Sequence, residues 1–108
     1  MSDVYWTDAA KENLNASIEC IERYFIERGA IELISGQTNQ FLSTLNAKIE
    51  LLKENPCLYS IRQDYEFYGG EYRSFSAYWF TVFYQYFEDK DIIIILYIRS
   101  SKSDFVRV

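Results

Sequence analysis

The stretch that decides the fold is residues 80–98, FTVFYQYFEDKDIIIILYI. Within Phe80–Phe87, alternate residues form a wholly apolar or aromatic set, which predicts a strand with that set on the core face. The set is Phe80, Val82, Tyr84 and Tyr86. A polar turn, Glu88-Asp89-Lys90-Asp91, then leads into Ile92–Ile98, a continuous apolar run typical of a central strand covered on both faces.

Two further strands are predicted immediately upstream. Leu58–Phe67 and Tyr72–Ala77 have strand character, and Tyr68-Gly69-Gly70-Glu71 between them is typical of a hairpin turn. The second half of the chain is therefore expected to be a succession of strands.

The first half is predicted to begin with a short strand and a helix. Val4-Tyr5-Trp6 has β character, and Thr7 is a suitable N-cap for the helix that follows. Gly29 is a natural stop just beyond that helix. Apolar residues recur at helical spacing between the cap and the stop: Ala10, Leu14, Ile18, Ile21 and Phe25.

A second helix is predicted before Asn55-Pro56, because the residue before proline avoids the α conformation. Its apolar stripe is Phe41, Leu45, Ile49 and Leu52. Ser35-Gly36 is its weak point. Either the chain bends there, or the helix begins just after it, capped by Ser35 or Thr38.

The expected order is β-α-α-β-β-β-β. Helices followed by a run of strands predict an α+β fold, with an antiparallel helical hairpin against one face of a mostly antiparallel sheet. A chain of 108 residues is expected to form a single domain over 1–108.

Composition restricts the class of partner. The net charge is −5, and an acidic chain is a poor general partner for phosphate backbones, so no sequence-specific nucleic-acid binding is expected. The sign turns positive only near the end, where Arg99, Lys102 and Arg107 outnumber Asp104. No membrane-spanning run or signal peptide is visible, so cytoplasmic localisation is expected.

Cysteine and histidine usage argues against several enzyme classes. Cys20 and Cys57 are expected to lie too far apart for a disulfide if the helices are antiparallel, so both are predicted to be free thiols. The chain has no His, which removes His-based general base catalysis and most zinc sites. No cofactor or metal is expected.

Aromatic residues are concentrated after position 58, and most of them are expected to fill the core. Phe83 and Phe87 are different, because they share the other face of their strand with Thr81 and Gln85. The Ile92–Ile98 run also needs cover on both faces, and two helices can cover only one. The sequence therefore favours a sheet face covered by a partner over a solvated face.

Three basic residues form a second candidate site. Arg73, Arg99 and Lys102 are predicted to lie at strand ends, where they are either solvated or form an anion-facing patch. The paired carboxylates, Asp64 with Glu66 and the Glu88–Asp91 turn, have no nucleophile or metal-ligand partner in the sequence.

The chain resembles the RelE/ParE superfamily, the toxins of type II toxin–antitoxin pairs. The resemblance runs from the opening strand to the basic tail, and its order and spacing carry it more than any one motif. The matching stretches are VYWTDAAKENL, IELLKENP, EYRSFSAYWFTVFYQYFEDKDIIIILYI and RSSKSD.

The resemblance implies a toxin bound by a cognate antitoxin whose extended tail wraps its surface. Contact is expected through the helix pair and the open sheet face. The resemblance also implies either a non-enzymatic inhibitor of DNA gyrase or, as the alternative, a ribosome-dependent endoribonuclease; a non-toxic adaptor is a third option. Thr81 stands where the nuclease branch usually has a catalytic Arg, which argues against RNA cleavage. Ser100 stands where many gyrase-type members have His and so departs from that branch. The long first helix and the Asn55-Pro56 junction are more similar to the ParE branch, so the gyrase-type function is favoured. The candidate residues are Phe83, Phe87 and Tyr97 for antitoxin contact, Arg73, Arg99 and Lys102 for target contact, and Arg73, Tyr84, Arg99 and Lys102 for catalysis in a nuclease.

Overall fold

The computed structural model describes residues 1–67 and 70–101. Tyr68 and Gly69, the first two residues of the predicted hairpin turn, lie outside that part, as do residues 102–108. The described elements confirm the predicted order and the α+β class. They are β1 (Asp3–Trp6), α1 (Asp8–Glu27), a 3-10 turn (Ile31–Leu33), α2 (Ile34–Glu54), β2 (Ile61–Phe67), β3 (Gly70–Ala77), β4 (Phe80–Phe87) and β5 (Ile92–Ser100).

Within the described residues the strands form a 5-stranded sheet in the order β1-β5-β4-β3-β2. β1 pairs with β5 in parallel, and the other neighbours are antiparallel. β5 has a strand on each side, which confirms the central position predicted from its continuous apolar run.

A bulge in β5 decides which of its side chains face the helices. Phe83 lies opposite Tyr97 and Tyr84 opposite Ile95, so Leu96 is an extra residue on β5. The extra residue switches the alternation of side chains. As a result Ile98 joins the buried core, whereas Tyr97 lies on the face away from the helices.

Helix α1 begins and ends where the sequence predicts. The Thr7 hydroxyl oxygen accepts a hydrogen bond from the Ala10 backbone N–H at 3.0 Å, which is the predicted N-cap. The same hydroxyl donates to the Leu96 carbonyl at 2.9 Å and so ties the start of α1 to the β5 bulge. Gly29 has φ +67°, the left-handed conformation that follows a helix end.

Helix α2 begins before Ser35-Gly36 and not after it. It starts at Ile34, directly after the 3-10 turn, and no side chain caps it, so the predicted caps at Ser35 and Thr38 are wrong. Ile34 packs against the core, which outweighs the cost of about 1 kcal/mol for Gly36 in a helix. The predicted end is confirmed, because α2 stops at Glu54 before Asn55-Pro56.

The core lies between the two helices and one face of the sheet. Phe80, Val82 and Tyr84 are buried there and Tyr86 packs against them, so the predicted core face of β4 is confirmed. Cys20 and Cys57 are both free thiols, as predicted. No helix in the described part of the chain is long and apolar enough to span a membrane.

Candidate protein-binding face of the sheet

The sheet face away from the helices, called here the reverse face, has a regular arrangement of side chains. The strand register places Tyr5 beside Ile94 and Gln85, and Asp3 beside Ile92 and Phe87. Further along the same face, Tyr97 lies beside Phe83, and Arg99 beside Thr81. The face therefore changes from apolar near the β4–β5 turn to cationic near the end of β5.

One part of the reverse face is sealed by this chain's own residues. Phe83 is only 5% exposed and Tyr72 only 1%. The Phe83 ring lies 5.8 Å from the Tyr72 ring and 6.3 Å from the Tyr97 ring, between ring centroids. The Arg62 guanidinium lies 5.7 Å from the centre of the Phe83 ring, within cation–π range.

These contacts correct the prediction that Phe83 is uncovered. Arg62 reaches across β3 and donates a hydrogen bond to the Ser74 hydroxyl at 2.8 Å, which holds its guanidinium over the sheet. The sequence pattern of β4 alone could not show this cover, because it comes from another strand. Tyr97 is half-buried in the same cluster.

The other part of the reverse face is open. Tyr5 is 55% exposed and Phe87 is 39% exposed. Ile92 and Ile94 lie half-buried between them on β5. These side chains form a continuous apolar surface across β1, β5 and β4, called here the apolar patch: Tyr5, Phe87, Ile92 and Ile94.

Sequence reasoning named Phe87 but missed the other members of the apolar patch. The position of Tyr5 could have been predicted from the sequence. It lies between Val4 and Trp6 in a strand, and because those two side chains pack against the core, Tyr5 faces the other side of the sheet. Ile92 and Ile94 lie in a run where every residue is apolar, so no alternation distinguishes the two faces. No sequence pattern predicts that Arg62 covers Phe83, because that contact depends on the register between strands.

The predicted basic residues do not gather in one place. Arg73 is half-buried on the helix side of the sheet, because every second residue of β3 faces that side and Phe75 and Ala77 are buried there. Its guanidinium donates a hydrogen bond to the Tyr59 carbonyl. Arg99 is exposed on the reverse face, opposite Thr81. Lys102 lies outside the described residues. Arg73 and Arg99 therefore point to opposite sides of the sheet.

Tyr84, the candidate phenol of a nuclease, is buried in the core. Its hydroxyl donates to the Pro56 carbonyl at 3.1 Å. Burial raises the pKa of Tyr84 to about 12, although the nearby charge of Arg73 acts in the opposite direction. The phenol thus stays protonated at neutral pH and is shielded from solvent, which suits a structural role.

The described residues hold no grouping for metal chemistry. Among the side chains that the structure describes, those of residues 1–62 and 71–101, no three from His, Cys, Asp or Glu come close enough to bind a metal ion. What this part of the chain offers instead is an apolar surface at one end of the reverse face and an exposed cation at the other, an arrangement that suits protein contact.

This fold, with a helical hairpin on one side of a mostly antiparallel sheet, is similar to that of a chain in a solved structure. The structure titled "Chromosomal ParDE TA system from P. aeruginosa" has a similar chain, with a TM-score of 0.59 and 16% sequence identity over 94% of this chain and 98% of that chain. At this identity the likeness establishes the fold alone.

A match to a protein-family model identifies the family of this chain. The model described as "ParE toxin of type II toxin-antitoxin system, parDE" matches residues 4–105. The chain therefore belongs to the ParE toxin family. Comparison with curated proteins finds no match.

Proposed function

We propose that this chain is a non-enzymatic toxin that inhibits a macromolecular target such as DNA gyrase and is neutralised by a cognate antitoxin. Membership of the ParE toxin family supports the toxin part. The apolar patch supports the antitoxin part, because exposed apolar surface of this kind is typical of protein interfaces. Antitoxin contact is proposed at Phe87 and Tyr97, and the largely buried Phe83 ring packs against Tyr97.

The observation that carries the non-enzymatic part is the separation of the candidate catalytic groups. Cleavage of a phosphodiester needs donors for the developing charge close to an acid–base pair. Tyr84 is buried, Arg73 is bound to the Tyr59 carbonyl, and Arg99 lies on the opposite side of the sheet. This geometry favours target inhibition through surface contact over a nuclease. Target contact is proposed at Arg99, and at Lys102 from its place in the sequence alone.

The test is a supercoiling assay with purified gyrase. The chain is added alone and then together with the short protein encoded by the neighbouring reading frame. We expect the chain to block supercoiling and the neighbouring protein to restore it. Full supercoiling at a large excess of the chain contradicts the gyrase proposal. Message cut inside translating ribosomes supports the nuclease alternative instead.

A further inference from the structure

The reverse face of the sheet has opposite charges at its two ends. At one end lies the exposed Asp3, in the same row as Ile92 and Phe87. At the other end lies the exposed Arg99, opposite Thr81. The two ends are about 20 Å apart, since Phe87 and Thr81 lie on the same strand. Neither charged group has an ion-pair partner among the side chains that the structure describes.

Between its charged ends the reverse face is mainly apolar or aromatic. The apolar patch occupies the half beside Asp3. The ring cluster of Phe83, Tyr72 and Tyr97 occupies the half beside Arg99. Both helices pack against the opposite side of the sheet, so neither covers this face. Exposed apolar surface that continues over neighbouring strands favours burial against another protein surface.

A second copy of the chain complements this pattern if the two reverse faces pack with their strands antiparallel. A two-fold axis that lies between the faces, perpendicular to the strands, exchanges the two ends of the face. It places Arg99 of one copy near Asp3 of the other, and the same contact repeats by symmetry. A two-fold axis along the strands keeps like charges at the same end, so the charge pattern selects the first arrangement.

We propose that the free chain forms a two-fold symmetric dimer in which the reverse faces of two copies pack against each other. Packed sheets lie about 10 Å apart, a gap that long side chains from the two faces fill together. Arg99 of each copy pairs with Asp3 of the other, and the apolar patch of each copy covers the ring cluster of the other. The inference concerns the chain without antitoxin and does not depend on the identity of the target.

The size of the reverse face sets the strength of this dimer. Strands β1, β5, β4 and β3 lie about 4.8 Å apart and so span about 20 Å across the sheet. With about 25 Å along the strands, each copy buries about 500 Å², near the lower limit for a specific interface. We therefore expect a dimer that dissociates on dilution. Antitoxin contact is proposed at the same face, and it is unaffected at dilutions where the chain is a monomer.

The test is sedimentation equilibrium of the full chain without antitoxin, over a range of concentrations. We expect a reversible monomer–dimer equilibrium. Arg99→Asp replaces two symmetry-related attractions with repulsions, so it should raise the dissociation constant of the dimer at least about tenfold. Adding Asp3→Arg to that variant restores opposite charges, and it should return the dissociation constant to within about threefold of the parent value.

Two control variants separate the position of a charge from the net charge. Arg23→Asp makes the same charge change as Arg99→Asp, but at an exposed position of α1. Arg99→Asp combined with Glu12→Arg has the net charge of the rescued variant, but its new cation also lies on α1. We expect Arg23→Asp to keep the parent dissociation constant. The combination with Glu12→Arg should stay as weak as Arg99→Asp alone.

Two results overturn the inference. The first is a chain that stays monomeric up to about 1 mM, which leaves the antitoxin as the only proposed partner of the reverse face. The second is a dimer that Arg99→Asp does not weaken or that Asp3→Arg does not rescue, because such a dimer forms through another surface. Both results leave the proposed toxin function intact, since gyrase inhibition is measured separately.

Discussion

At the level of single residues, Arg99 is the exposed cation through which we propose target contact. We expect Arg99→Ala to raise the concentration needed for half-maximal gyrase inhibition at least about tenfold, since a charge-assisted contact contributes about 1.5–3 kcal/mol. Antitoxin binding and thermal stability should be unchanged. The control is Arg23→Ala, which removes an exposed cation from α1. An equal loss of inhibition in both variants contradicts a specific role for Arg99.

Tyr84 tests whether a buried phenol has any catalytic role. Tyr84→Phe removes the hydrogen bond to the Pro56 carbonyl, so we expect the free energy of unfolding to fall by about 1 kcal/mol, measured by urea denaturation. Toxicity should be unchanged, because the phenol is buried and protonated. Tyr5→Phe is the matched control at an exposed position and should leave stability unchanged. Loss of toxicity in folded Tyr84→Phe argues for the nuclease alternative.

Asp91 makes the stability of the fold depend on pH. It takes φ 52° in the β4–β5 turn, and its carboxylate accepts from the Ser2 hydroxyl at 2.6 Å and the Tyr86 hydroxyl at 2.9 Å. These hydrogen bonds, that from Ser2 foremost, lower the pKa of Asp91 below its usual 3.8. The stabilisation is therefore complete above the unfolded pKa and is lost as pH falls through the folded pKa.

We expect Asp91→Asn to weaken the loss of stability in acid while lowering stability at neutral pH. Asn tolerates the left-handed backbone and keeps an acceptor oxygen, so the variant isolates the charge. The measurement is the urea midpoint between about pH 7 and about pH 2. Asp89→Asn, at an exposed carboxylate in the same turn, should follow the parent curve. If the Asp91→Asn variant also follows the parent curve, the proposed effect of Asp91 on the pH dependence of stability is contradicted.

At the level of elements, the junction of β1, α1 and β5 depends on the Thr7 hydroxyl. It caps α1 and also donates to the Leu96 carbonyl at the bulge. We expect Thr7→Ala to lower the free energy of unfolding by about 1–2 kcal/mol, measured by urea denaturation. Thr7→Ser keeps the hydroxyl and should restore most of the loss. An equal loss in both variants assigns the effect to the methyl group instead.

The start of α2 shows how tertiary packing overrides local signals. Ser35 and Thr38 are good caps and Gly36 is a poor helix residue, so a helix beginning after Gly36 is the local expectation. The helix begins at Ile34 because that side chain packs against the core, and the Tyr78 hydroxyl donates to Gln37 one turn later. Local propensity is worth about 1 kcal/mol here, less than burial of a large apolar side chain.

At the level of the whole molecule, the two sides of the sheet have different roles. The helices cover one side, and the reverse face is sealed around Phe83 and open around Phe87. We expect Phe87→Asp to weaken antitoxin binding at least about tenfold, measured by titration calorimetry, because it places an unpaired charge in the proposed interface. The control is Leu58→Asp, which changes an apolar side chain that is 45% exposed in the connection between α2 and β2. Equal effects, or none at Phe87, contradict the proposed antitoxin surface.

The sequence by itself determined the elements of this protein and the core face of β4. Thr7, Gly29 and Asn55-Pro56 mark helix ends through short-range chemistry, and the alternation in Phe80–Phe87 follows from the two-residue period of a strand. These signals lie within a few residues of what they specify. These signals can therefore be recognised from the sequence alone.

The tertiary structure alone decided which candidate side chains share a surface. The Leu96 bulge places Tyr97 on the reverse face, Arg62 from β2 covers Phe83, and the strand register separates Arg73 from Arg99. Each of these depends on the pairing of strands that are distant in sequence. A shift of one residue in such a pairing moves every side chain to the other face, and no local pattern in a uniformly apolar run records it.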